Sequence, residues 1–91
     1  MRVTVAHAGG DAYDVRVEGR TRHTVTAPAA ALQRVRRDGE SAESAIERVM
    51  RFLLQREPPE SILSRFSLDD VAGYFPEFWP EMAAARDSST G

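Results

Sequence analysis

The feature that most constrains this chain is a change in hydrophobic period. In residues 2–26 one face of each extended segment recurs at alternate positions: Val3 and Val5, then Tyr13, Val15 and Val17, then Thr21, His23 and Val25. In residues 42–57 the apolar positions are Ala42, Ala45, Ile46, Val49, Met50 and Leu53, widened by Phe52 and Leu54. A period of two builds strands with one wet face, and a period near 3.6 builds a helix with an apolar stripe. A half-apolar sheet and a broadly apolar helix each need a cover, so each is expected to cover the other. The expected fold class is α+β: a three-stranded antiparallel meander packed against one long helix, with short C-terminal helices closing the core.

The local signals fit that plan. AGGD at 8–11 and Gly19-Arg20 supply the turns between strands. The third segment, TRHTVT, has the least apolar inner face and reads as an edge strand. Thr26 or Ala27 can cap a short helix entered through Pro28, where a missing N–H had no partner anyway, and Ala31, Leu32 and Val35 share one face of it. Asp38-Gly39 ends that helix. Ser41 reads as the N-cap of the long helix, with Glu43 in its first turn and Glu47 placed to pair with Arg51. Pro58-Pro59 breaks it.

Beyond the prolines, residues 60–66 read as a short helix carrying Ile62, Leu63 and Phe66. Ser67 with Asp70 three positions on has the form of a capping box before Leu68, Val71, Tyr74 and Phe75. A short EFW segment, Pro80 and an alanine turn at 83–85 follow, and residues 87–91 are expected to be a disordered tail after a single domain at 1–86. The segment YFPEFWPEM gathers Tyr74, Phe75, Phe78 and the sole tryptophan, Trp79. Phenylalanines here can fold back onto the uncovered side of the long helix. Tyrosine and tryptophan carry polar handles and are common at interfaces, so Tyr74, Phe78 and Trp79 are the candidate partner-binding residues.

Charge is unevenly distributed. All twelve cations are arginine, and residues 1–37 hold seven of them against three acids, whereas residues 38–91 hold five against eleven. A net charge of −2 therefore conceals a region of +4 and a region of −6. Arg16, Arg20, Arg22, Arg34, Arg36 and Arg37 are candidate phosphate-contacting residues if the sheet and first helix align them. Against nucleic-acid binding stand the net negative charge and the lack of a base-reading motif.

Chemistry-bearing constellations are sparse. Cysteine is absent, which excludes disulfides and thiolate sites. His7 and His23 are the only histidines, and in a meander the second strand separates them. No serine sits in a GxSxG elbow, and Gly9-Gly10 has no phosphate-loop context. No enzyme activity, metal or cofactor is expected. No apolar run approaches the roughly 20 residues of a membrane span, and MRVTVAHAGGDAYD has no leader-like apolar stretch, so a cytoplasmic protein is expected.

The stretch from Phe52 to Met82 resembles the C-terminal half of a group of small bacterial proteins patterned FLLxRE, then PxESIL, then YFPE. The corresponding positions are 52–57, 59–63 and 74–77. That resemblance implies a bacterial origin and an intact fold, and it brings no activity. A topological similarity to strand-rich antitoxins of the HicB type rests on a meander followed by an acidic, alanine-rich helix. The sequence thus leads to a small non-catalytic protein-interaction or accessory module, binding another protein or a second copy through its C-terminal aromatic region or an exposed strand edge. The alternative is a nucleic-acid-binding or antitoxin-like regulatory protein that uses the six arginines.

Overall fold

The computed structural model describes residues 2–87. Four strands form one mixed sheet in the order β1-β2-β3-β4: β1 Val3–Gly9, β2 Ala12–Val17, β3 Thr21–Thr26 and β4 Arg65–Ser67. The first three form the antiparallel meander, with Val3 opposite Val17, Val5 opposite Val15 and Tyr13 opposite Val25. Gly9 and Gly10 close the first hairpin at φ of 112° and 55°, values that residues with a Cβ adopt only under strain. The alternation read from sequence sets the register, because a one-residue slip would turn every buried valine to water.

The fourth strand revises the expected sheet. Residues 60–66 do not form a helix: a single 3-10 turn at Pro59–Ser61 ends in extended backbone at Ile62, and β4 then pairs parallel to β3. The third strand is therefore internal, and β1 and β4 are the edges. Its polar inner residue, His23, is only 4% exposed and has both ring nitrogens engaged. Nε2 lies 2.8 Å from the Thr21 hydroxyl, and Nδ1 lies 2.7 Å from the carbonyl oxygen of Leu63. A buried polar ring costs little once its donors and acceptors are met, so a weakly apolar strand can occupy the interior.

Four helices cover one face of the sheet: α1 Ala29–Val35, α2 Ala42–Leu54, α3 Leu68–Tyr74 and α4 Phe78–Asp87. Helix α2 lies across β1 and β2 and buries Ala45, Ile46, Val49, Met50, Phe52 and Leu53. Ser41 caps it by accepting the Ser44 N–H at 3.1 Å, and Glu47 pairs with Arg51 at 2.9 Å. The Ser67 capping box is complete in both directions, at 3.0 and 3.1 Å. Helix α1 begins after Pro28 with no side-chain cap. The segment read as EFW, a proline and an alanine turn is one continuous helix, α4; Pro80 sits in its first turn, where no N–H is needed. The tail expected at 87–91 lies, beyond Asp87, outside the described residues.

Two arginine clamps tie the helices together. Arg48 of α2 donates to both carboxylate oxygens of Glu40, at 2.9 and 2.7 Å, and to the Val35 carbonyl at the end of α1. Glu40 also accepts from the Arg37 N–H and the Ser44 hydroxyl, each at 2.9 Å. Arg56, just past α2, stacks 3.6 Å from the centre of the Phe52 ring and pairs with Glu77 at 3.0 Å and with Glu81. This second clamp holds the start of α4 over α2.

Candidate functional site

The C-terminal aromatic segment divides into core and surface. Phe78 is fully buried and stacks edge-on against Phe52, with ring centres 5.2 Å apart, so it belongs to the core and offers no surface to a partner. Phe75 is partly buried and lies 6.0 Å from Phe52 in the same edge-on manner. Trp79 is partly buried, tilts against Phe78, and carries the Arg34 guanidinium 3.9 Å above its ring centre. This contact joins α1 to α4 and sets a candidate phosphate contact on a candidate partner contact. Tyr74 alone of the three is open, at 68% exposure.

Tyr74 opens onto a groove of about 150 Å³ between the end of α2, the 62–66 segment and α3. Its floor is apolar, formed by Leu53, Ile62, Phe66 and Val71, and Leu63 and Tyr74 stand on its sides. Among the described residues, Leu63 and Tyr74 are the only large hydrophobic side chains classed as exposed, and both line this groove. Leu63 is exposed for a backbone reason. Extended chain at Ile62 sends consecutive side chains to opposite sides, so Ile62 is buried and Leu63 turns outward. The Leu63 carbonyl is held by His23 Nδ1, which anchors the backbone at this position. Glu57 and Asp70 border the groove and give it a negative rim.

The sequence pattern placed Leu63 on a short helix with Ile62 and Phe66 and did not single it out as a surface residue. The available signal was the pair of adjacent apolar residues after a double proline, a segment in which extended backbone must expose one of them.

The six candidate phosphate-contacting arginines do not share one face. Arg16 and Arg22 are register partners on the outer face of the sheet, away from the helices. Arg20, in the β2–β3 turn, makes a two-pronged pair with Glu60 at 2.6 and 2.7 Å. The hydrogen bonds from Arg20 hold the Glu60 carboxyl below its ordinary value. Arg34 is on the helical side over Trp79, and Arg36 and Arg37 lie in the exposed segment after α1. Arg65, from β4, joins Arg16 and Arg22 on the outer face and was missed because its segment read as a helix.

His7 and His23 occupy different rows, with β2 between their strands. His7 is exposed, with Nε2 2.7 Å from the Gly10 carbonyl oxygen, and its ring lies 5.0 Å from that of Tyr13. Among the described residues no group of three acidic or histidine side chains is arranged to hold a metal. Among them, too, no helix is long and apolar enough to cross a membrane. In comparisons with known proteins, no family model, curated protein or solved structure matches the chain.

Proposed function

We propose that this protein is a small non-catalytic interaction module whose groove beside Leu63 and Tyr74 receives one apolar side chain of a partner protein, in a segment that also carries arginine or lysine. The observation that carries the reading is the convergence of both exposed large hydrophobic residues on a single groove. Scattered exposed apolar residues need no explanation, but two on the same concavity form a patch with a use. Size selects the ligand class. Small-molecule sites run to about 300–1,000 Å³, whereas 150 Å³ is about the volume of a cavity that admits benzene, and hence one aromatic or branched aliphatic side chain. Charge selects the flanking residues, since the two acidic residues that line the groove, Glu57 and Asp70, favour a cationic neighbour.

A random peptide library selected on the immobilised protein tests this. Enriched peptides should share one aromatic or leucine-like anchor with a basic residue nearby. Their affinity should drop at least about tenfold for Leu63→Ser or Tyr74→Ser, in line with the loss of an interface anchor. Enrichment of acidic peptides, or equal binding to both variants, contradicts the proposal.

A further inference from the structure

The outer face of the sheet is a second surface, distinct from the groove, and it is built of different chemistry. No helix covers it. Its trough is lined by arginines from three strands and the chain start, Arg2, Arg16, Arg22 and Arg65, interleaved with hydroxyl residues and with the acids Asp14 and Glu18. Arg16 and Arg22 face each other directly across β2 and β3, and Arg65 stands opposite Thr24, one strand further on. Like charges in direct cross-strand register destabilise a sheet. Among the described residues, Arg16, Arg22 and Arg65 have no carboxylate within ion-pair distance, although Arg2 reaches Glu18 at 3.7 Å. Three guanidinium groups without an ion pair thus share this face of a protein whose net charge is −2, with Asp14 and Glu18 as the acids among them.

We infer that this face binds the sugar-phosphate backbone of double-stranded nucleic acid, without reading its sequence. Guanidinium and hydroxyl groups are the side chains that contact phosphate oxygens, and they dominate the trough. An acidic protein partner is the weaker fit, because a protein interface needs an apolar centre and among the described residues no large apolar side chain is exposed on this face. Single strands are disfavoured for a related reason. Their non-specific binders stack bases on aromatic rings, and among the described residues the aromatic side chains of the strands lie on the helix side: Tyr13, His23 and Phe66 are buried, and His7 is the register partner of Tyr13. The width also suits a duplex: four strands about 4.8 Å apart span about 14 Å between their outer axes, a shallow bed for one helical backbone. Asp14 and Glu18 line the same trough and offset part of the attraction, and the three arginines without an ion pair, Arg16, Arg22 and Arg65, set the number of phosphate contacts at about three.

Fluorescence anisotropy with a labelled mixed-sequence duplex DNA tests the inference on the full chain. With about three phosphates neutralised, the slope of log affinity against log salt should be near −2.7, so affinity falls about 40-fold between about 50 and 200 mM salt. Arg16→Gln combined with Arg22→Gln should bring the slope to about −1, with the circular dichroism spectrum unchanged. Arg36→Gln with Arg37→Gln, which do not line the trough, should leave binding intact. The inference is overturned by the absence of duplex binding at the lower salt, by equal loss in both double variants, or by tighter binding of single strands or poly-glutamate than of the duplex.

Discussion

Replacing Glu40 by glutamine leaves the shape of the α1–α2 junction intact and removes the anion that Arg48 is folded around. Both side chains are largely enclosed, Glu40 at 10% and Arg48 at 18% exposure. The two-pronged hydrogen bond from Arg48, reinforced by the Arg37 N–H and the Ser44 hydroxyl, lowers the Glu40 carboxyl from 4.5 to about 2 against the opposing cost of burial. At about 1.36 kcal/mol per pH unit, that displacement is worth about 3 kcal/mol of folded-state stability at neutral pH. The sum is large beside the roughly 5–15 kcal/mol total stability of a native domain. Because the carboxyl binds its proton less readily when folded, the contribution is complete above about pH 4.5 and fades as pH falls toward 2. Linkage puts what remains at about 1.4 kcal/mol at pH 3 and about 0.4 kcal/mol at pH 2. Urea unfolding followed by circular dichroism, wild type against Glu40→Gln, should therefore give a difference of about 2–3 kcal/mol at pH 7 that nearly closes by pH 2. A difference that stays constant with pH would assign the loss to packing and refute the electrostatic reasoning; a difference below about 0.5 kcal/mol at pH 7 would refute the clamp itself.

Three further outcomes follow from the packing. Ser67→Ala removes one half of the capping box and should cost about 1 kcal/mol in urea unfolding without altering β4. Phe78→Ala empties a fully buried site and should cost about 3–5 kcal/mol, while Tyr74→Ser should stay within about 0.5 kcal/mol of wild type; comparable losses for the two would contradict the division into core and surface. A double-mutant cycle on Arg34 and Trp79 should return a coupling of about 0.5–1 kcal/mol, and no coupling would mean that the stacked guanidinium is a bystander.

What could be read from the sequence was what is encoded locally. The alternation at Val3, Tyr13, Val15, Val17 and Val25 set the faces of the meander, and the stripe from Ala42 to Leu53 set the helix that covers them. Ser41 and the Ser67–Asp70 pair marked helix starts, because a cap needs only the residues beside it. The fourth strand had no such signal. Three residues gain their strand character from pairing with β3, 41 positions earlier, and Ile62, Leu63 and Phe66 suit a short helix as well as a strand. That missing strand hid both surfaces: it turns Leu63 into the groove and sets Arg65 opposite Thr24 on the outer face. The edge reading of the third strand failed for a similar reason, since the partners that make a buried His23 tolerable, Thr21 and the Leu63 carbonyl, assemble only in the tertiary fold. Phe78 and Trp79 were grouped as neighbours in sequence, but successive residues on a helix point about 100° apart, so one fills the core while the other meets Arg34.

The most direct test of the groove as the partner site is to titrate the full chain with the best library-selected peptide and follow its backbone amide chemical shifts. The changes should concentrate in residues 57–66 and 70–75, which border the groove, with β2 and the α1–α4 contact around Arg34 and Trp79 undisturbed. Changes centred on Trp79 or on the outer sheet face, with the groove silent, would contradict it.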